Sequence, residues 1–366
     1  MFEGLIGNSH IKKYLENMVS NGSIGNSLLF SGPDGVGKSL FAIELAKLLI
    51  CQDDPDGVHL RKIESGNHPD IKHYRPEGKL GIHTIDSMRR FNEDVYLRSY
   101  ESKWKVFIIH EAHRMLPFSA NALLKTFEEP ASDSVIILLT SAREMLIPTI
   151  LSRCRTLHFH KVENKEIALH LIGKYHCPSD EARRYAELSL GSIGKAIFLL
   201  KNGGDDFRKK ILDFMLKGRV STYFELTDFI KEICAKIEGS KKEIESDLRA
   251  KLVHGVSDAD LSAIQLQSLN KDIEGAISMQ LTQSAHAIFD LILSWYRDLQ
   301  LLYLGGNQEF LLNKEYEHEM QQKIIQAEPL KLEIIQKNIK EAILALQRST
   351  PFATCLENLF LKLNFL

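Results

Sequence analysis

Short runs that are apolar at every position alternate with amphipathic stretches through the first part of the chain. Leu28-Leu29-Phe30, Lys105-Val-Phe-Ile-Ile109 and Val135-Ile-Ile-Leu-Leu139 have the continuous hydrophobicity of parallel strands covered on both faces. Between them, Ser39–Leu49 and Ile85–Tyr96 space their apolar residues as helices do, and Ser119–Glu129 reads as a helix closed by Pro130. Asp53-Asp-Pro-Asp-Gly57 is a polar break, and Asn67-His-Pro-Asp-Ile-Lys-His-Tyr74 leads into a short exposed strand. Helix and strand therefore alternate from Met1 to about Lys161, which predicts a doubly wound α/β domain.

The period then changes. Residues 162–206 are helical in spacing, with Gly191-Ser192 between two helices, and predict a small helical lid. Beyond Phe207 everything reads as helix. Ala287–Tyr303 is strongly amphipathic and Leu330–Leu366 supplies two more helices, so an all-α bundle is expected over 207–366. Its Trp295 face is apolar enough for an oligomer contact, and equally suits the bundle's own core. Ser240–Asp272 is charge-rich and weakly periodic, the pattern of a solvated helical hairpin.

Composition narrows the partners. The chain has 366 residues, 44% of them hydrophobic, enough for two or three cores. A formal net charge of −2 argues against a surface given over to nucleic acid, while allowing a local basic face. There is no apolar run long enough for a bilayer and no basic-then-apolar leader at Met1, so no membrane association and a cytoplasmic location are expected. The five cysteines (51, 154, 177, 234 and 355) have no paired spacing and are expected as free thiols. Cys51 with His59, His68 and His73 is the one set that offers metal donors, at irregular spacing.

The sharpest chemical signal is Gly32-Pro-Asp-Gly35-Val-Gly37-Lys38-Ser39, set between a strand and a helix. In such a loop Gly32, Gly35 and Gly37 let backbone N–H groups curl round phosphate oxygens. Lys38 places a cation on the outer phosphates, Ser39 offers a hydroxyl to Mg²⁺, and the helix N-terminus favours the anion. ATP or ADP with Mg²⁺ is the expected cofactor. The strand that should end in a magnesium-supporting Asp instead ends in His110-Glu111. Neutral imidazole is a poor partner for a hard cation, which leaves Glu111 as the remaining candidate base and predicts slow or absent hydrolysis.

Several motifs together resemble the clamp-loader branch of the AAA+ ATPases. They are Ile6-Gly-Asn8, Gly66-Asn-His-Pro-Asp-Ile71, Ile85-Asp-Ser-Met-Arg89, Ile109-His-Glu-Ala-His-Arg-Met115, Asn121-Ala-Leu-Leu-Lys-Thr-Phe-Glu-Glu-Pro130 and Leu151-Ser-Arg-Cys154. The C-terminal third matches more weakly, through Trp295-Tyr-Arg-Asp298. The resemblance implies an AAA+ (RecA-like) α/β P-loop domain over 1–161, the lid over 162–206, and a C-terminal helical collar over 207–366 that joins subunits in a ring. It implies that Arg153 is an arginine finger supplied in trans, and that Thr140 or Ser141 senses the γ-phosphate. It also implies other loader subunits, the sliding clamp and primer–template DNA as partners. Arg89, Arg90 and Arg98 are the candidate DNA contacts, with Glu93 and Asp94 interrupting the patch.

The departures from the family are as informative. Relatives that hydrolyse ATP usually carry Asp at the position of His110 and a lid Arg where this chain has Gly194. Lys195 would substitute only if its helix start were rotated. Of the four cysteines with which many relatives hold zinc, only Cys51 remains, so zinc is not expected. A subunit with little turnover that serves its neighbour is the favoured reading, and a motor ATPase is the alternative. An unrelated P-loop enzyme acting on a small molecule would leave the Asn121 and Ser152 motifs without a role. No paired acidic residues suit two-metal nucleotidyl transfer, so no polymerase chemistry is expected of this chain.

Overall fold

Strands with no polar face belong in the middle of a covered sheet, and that is where they lie. The computed structural model describes Phe2 and residues 4–77, 81–201, 205–252, 263–348 and 350–365. Five parallel strands, β1 (Ser27–Ser31), β2 (Ile71–Tyr74), β3 (Lys105–Ile109), β4 (Ser134–Thr140) and β5 (Arg155–His158), form one sheet in the order β2-β3-β4-β1-β5. Every residue of β1, β3 and β4 is buried, whereas the edge strands β2 and β5 are partly exposed.

The pleat sends alternate residues to two cores. Leu28, Phe30, Val106, Ile108, Val135 and Ile137 pack with helices α1 (Ser9–Ser20) and α2 (Lys38–Ile50). Leu29, Phe107, Ile109, Ile136 and Leu138 pack with α4 (Ile85–Tyr96) and the short helices α5 (Pro117–Asn121) and α6 (Leu124–Glu128). The functional loops emerge from the C-terminal edge of this sheet.

Three local features differ from the sequence expectation. The Ser119–Glu129 helix is broken into α5 and α6, because Leu123 N turns back to Ala120 O in a tighter turn that buries Leu123 completely. Helix α3 (Val58–Glu64) follows the polar break: Asp54 accepts hydrogen bonds from Val58 N at 2.8 Å and Leu60 N at 2.9 Å and so starts a helix. Strand β5 follows the short helix α7 (Pro148–Leu151).

By internal contacts the chain divides into two units, Met1–Ala196 with Asp247–Ala276, and Ile197–Ser246 with Ile277–Leu366. Besides the sheet, the first unit contains α8 (Asn164–Tyr175), α9 (Ser179–Leu188) and the start of α10 (Ile193–Lys201), with Gly191-Ser192 between α9 and α10 as expected. The remaining helices are α11 (Asp205–Lys217), α12 (Tyr223–Leu252), α13 (Ala263–Tyr303), α14 (Glu317–Gln326), α15 (Leu332–Gln347) and α16 (Phe352–Lys362). The joint of the expected Ser240–Asp272 hairpin, residues 253–262, lies outside the described residues.

In the second unit, Trp295 is buried and meets Tyr316 edge-on at 5.8 Å, so the apolar face of α13 serves this unit's own core. The polar residues of Trp295-Tyr-Arg-Asp298 are structural as well. Asp298, fully buried, accepts from Leu312 N (3.0 Å), Asn313 N (2.8 Å) and Asn313 Nδ2 (2.8 Å). Asn313 Oδ1 in turn accepts from the buried Arg208, which also pairs with Glu315. Buried donors left without an acceptor are costly. Asp298→Ala is therefore expected to cost about 3 kcal/mol in urea unfolding, against about 0.5 kcal/mol or less for the exposed Glu328→Ala. Equal losses would refute this role for Asp298.

Candidate functional site

The phosphate loop joins β1 to α2, and its three glycines are required by different things. Gly37 (φ 96°) is the left-handed residue that starts α2, and Gly35 (φ 74°) makes the bend before it. At Gly32 a Cβ would stand 2.4 Å from Phe159 O, so only a glycine fits beneath β5's exit. Lys38 leads α2 and donates to Gly32 O at 2.6 Å and Pro33 O at 2.7 Å, with Asp34 Oδ1 at 3.8 Å. Burial lowers its pKa, and the charges of Asp34 and Glu111 oppose that shift. Ser39 follows on the first turn of α2.

The loop's bend is tied to the start of α10. Gly194 N donates to Gly35 O at 2.9 Å, and Ser192 Oγ donates to Asp34 O at 3.0 Å. The approach is so close that a Cβ on Gly35 would fall 2.2 Å from Ser192 Oγ, and one on Gly194 would fall 3.0 Å from Gly35 Cα. An arginine at position 194 would have to push these two backbones apart. Nearby, Val162 N donates to Gly191 O at 2.9 Å, and Asn8 clasps the His160 backbone through both ends of its amide. These contacts fix the turn Ser189–Ser192 over the loop.

At the ends of β3 and β4 the expected groups separate. His110 is buried and directed toward β2, with Nε2 3.1 Å from His73 Nδ1, while its carbonyl accepts from His83 Nε2 at 2.7 Å. Its imidazole therefore belongs to a histidine cluster beside the sheet edge. Glu111 takes a left-handed backbone (φ 49°), lies 2.8 Å from Arg114 Nε and contributes its charge at Lys38. His113 Nδ1 is 3.1 Å from Thr140 Oγ1, which also accepts from Ala142 N. Thr140 is buried and its carbonyl accepts from Gly32 N, whereas Ser141 is exposed.

This donor set fits phosphates and fits a magnesium ion poorly. Gly35, Gly37, Lys38 and the α2 N-terminus are assembled as an anion cradle. For the cation only the hydroxyl of Ser39 remains among the expected ligands, because His110 is engaged by His73. A bound nucleotide would supply the phosphoryl group, and the loop and Lys38 are the residues that would hold it.

Arg153 lies on the exposed turn after α7. Its Nε donates to Glu128 Oε1 at 2.7 Å, Nη2 contacts the same oxygen, and Nη1 donates to Thr149 O at 3.0 Å. Ser152 Oγ donates to Thr149 O, and the buried Cys154 has its thiol pushed up to about 12 by burial. Of the candidate DNA contacts, Arg89 is 3.8 Å from Asp86, Arg90 pairs with Glu77 at 2.6 Å, and Arg98 is exposed beyond α4.

The metal set suggested by sequence is not assembled as such. All five cysteines are free thiols. His59 Nδ1 lies 2.9 Å from His68 Nε2, and Glu101 joins them with all three donor atoms within 4.8 Å; Cys51 and His73 are not members. Asp70 N donates to His68 Nδ1, which puts the proton on Nε2, the atom a metal would need bare. Glu101 is held by Lys62 at 2.5 Å. The His-Pro-Asp segment has a structural task instead: Asp70 accepts from Tyr100 N, Glu101 N and Ser102 N and pins the loop before β3.

Sequence reasoning considered His73 only as a metal donor and gave His83 no role; the fold sets both against His110, and His113 near His83. Burial is the leading cause that lowers His73 to about 3, His83 to about 4 and His113 to about 4; Arg75 adds to it at His73, and Arg114 at His113. His110 is lowered in the same direction by burial, then by Arg75. Unfolded histidines bind protons near pH 6.5 and these folded ones do not, so stability is complete above about pH 6.5 and falls as pH drops toward 4. Each such group costs on the order of 1 kcal/mol at pH 5.5. Urea unfolding at pH 7.5 and 5.5 is expected to show this loss, reduced by about 2–3 kcal/mol in the His73→Gln/His110→Gln variant. An unchanged difference would contradict the assignment.

Comparison with known proteins gives a consistent relationship. DNA polymerase III subunit delta' of Bacillus subtilis (strain 168) is 34% identical over 202 residues, 54% of this chain and 60% of that one. DNA polymerase III subunit gamma of Buchnera aphidicola is 31% identical over 212 residues, 55% of this chain and 58% of that one. The chain thus spans about 60% of the length of these relatives. Among solved structures, a DNA polymerase III gamma subunit-related protein of Thermotoga maritima shares 18% identity at a TM-score of 0.41, over 91% of this chain and 98% of that one. The family model described as DNA polymerase III, delta subunit matches residues 7–163, a stretch that holds the phosphate loop, His110 and the Ser152-Arg153-Cys154 turn.

Proposed function

We propose that this chain is a delta'-type subunit of the DNA polymerase III clamp loader, helping to load the sliding clamp onto primed DNA during replication. It holds ATP or ADP weakly or statically, and supplies Arg153 to the nucleotide site of a neighbouring ATPase subunit. The carrying observation is His110. Where a hydrolysing relative needs an acid for Mg²⁺, this chain has an imidazole buried against His73. The backbone contact of Gly194 with Gly35 supports the same reading, because it occupies the ground on which a lid arginine would reach the phosphates.

In this reading residues 1–161 hold nucleotide, 162–206 form the lid, and 207–366 form the collar that joins gamma/tau and delta subunits in the cytoplasm. Thr140 and Ser141 are the candidates for sensing the γ-phosphate, and Glu111 is a vestigial base tied to Arg114. Arg89, Arg90 and Arg98 would meet DNA phosphates once Asp86 and Glu77 yield to them. A guanidinium at the neighbour's site would neutralise charge on the transferring phosphoryl group, with large effects on turnover. The chain itself carries out no polymerase chemistry, though it serves a DNA-directed DNA polymerase, a nucleotidyltransferase.

A second reading, a gamma/tau-type motor with its own turnover, is favoured by the complete Gly32–Ser39 loop and by Glu111 lying close enough to act on Lys38. Steady-state ATP hydrolysis by the loader reconstituted with this chain, clamp and primer–template DNA separates the two. Arg153→Ala is expected to cut turnover at least tenfold, given the ~10³–10⁵ attributed to arginine fingers, while Lys38→Ala changes it less than twofold. The reverse pattern would establish the motor reading instead.

A further inference from the structure

We infer that Glu128 is a positioning residue that parks Arg153 and releases it to the neighbouring subunit's phosphate; this rests on the trans role proposed above for Arg153. Both residues sit on the exposed surface, with side chains 30% (Arg153) and 48% (Glu128) accessible, so neither is locked by packing. The guanidinium is nevertheless fully engaged within its own chain. Nε and Nη2 go to Glu128 Oε1, and Nη1 goes to Thr149 O and, at 3.4 Å, Ser152 Oγ.

Each nitrogen of the side chain has a partner in this arrangement, and the carboxylate cancels its charge. A phosphate can be held by the characteristic two-pronged contact only if Glu128 lets go. Carboxylate and phosphate are thus alternative ligands for one guanidinium. Glu128 ends α6, and Arg153 stands on the turn after α7, so one short movement between two adjacent turns decides which ligand is bound. An exposed pair of this kind shifts an equilibrium by about two- to fivefold, a bias that an approaching nucleotide site can overcome.

The test is ATP hydrolysis by the reconstituted loader without DNA, over a range of ATP concentrations, with wild type, Glu128→Gln, Arg153→Ala and the double variant. Glu128→Gln keeps the side chain's shape and removes its charge. It is expected to raise kcat about two- to fivefold with KM for ATP unchanged, because the freed finger acts on the transferring phosphoryl group. On the Arg153→Ala background the same change is expected to do nothing. An equal effect of Glu128→Gln with and without Arg153, or no effect while Arg153→Ala remains damaging, would overturn the parking role alone. If Arg153→Ala leaves turnover intact, both the trans finger and its parking fall.

Discussion

Gly35 and Gly194 meet backbone to backbone, and the shape of the nucleotide site follows from that contact. Two residues without side chains allow the turn before α10 to rest directly on the bend of the phosphate loop. Ser192 fills the space that a Cβ at Gly35 would need, Val162 N holds the same turn through Gly191 O, and Asn8 secures the His160 backbone just before Val162. A site that must admit a lid cation, hold Mg²⁺ and open for product needs room at this place. Here the room is taken by peptide groups.

The electrostatics point the same way. Burial disfavours the charge of Lys38, and Asp34 and Glu111 both oppose that, so the carboxylates beside the loop support a cation at the cradle. The strand end that would complete the site is directed toward His73 on β2 and His83 just before α4. On the proposed reading, binding and turnover have come apart in one loop-and-strand arrangement. Arg153 of the Ser-Arg-Cys turn is held by the Glu128 carboxylate and Thr149 O, and in the proposed role it exchanges that carboxylate for a phosphate.

Much of the fold was legible because burial on both faces leaves an unmistakable mark: β1, β3 and β4 have no polar face, and the phosphate loop sits where its spacing demands. Strand β5 was not legible, since this short edge strand buries only Leu157 fully and carries exposed Arg155 and His158 among its four positions. Helix α3 hid behind Asp54, whose capping oxygens look in sequence like one more polar turn residue. At the site, the substitution at His110 could be read, but its destination could not, because His73 is 37 residues away and becomes a partner only through β2–β3 pairing. Glu128 and Arg153 likewise belong to separate motifs that the fold brings together.

The most direct test of the central claim, that this chain holds phosphate without turning it over, is a single-turnover experiment with the isolated chain in excess over radiolabelled ATP and Mg²⁺. The account predicts bound ATP recovered intact, with phosphate release no faster than in a Lys38→Ala control. Release well above that control, at a rate that rises with Mg²⁺, would show that Ser39 and Glu111 suffice for catalysis despite His110, and would contradict it.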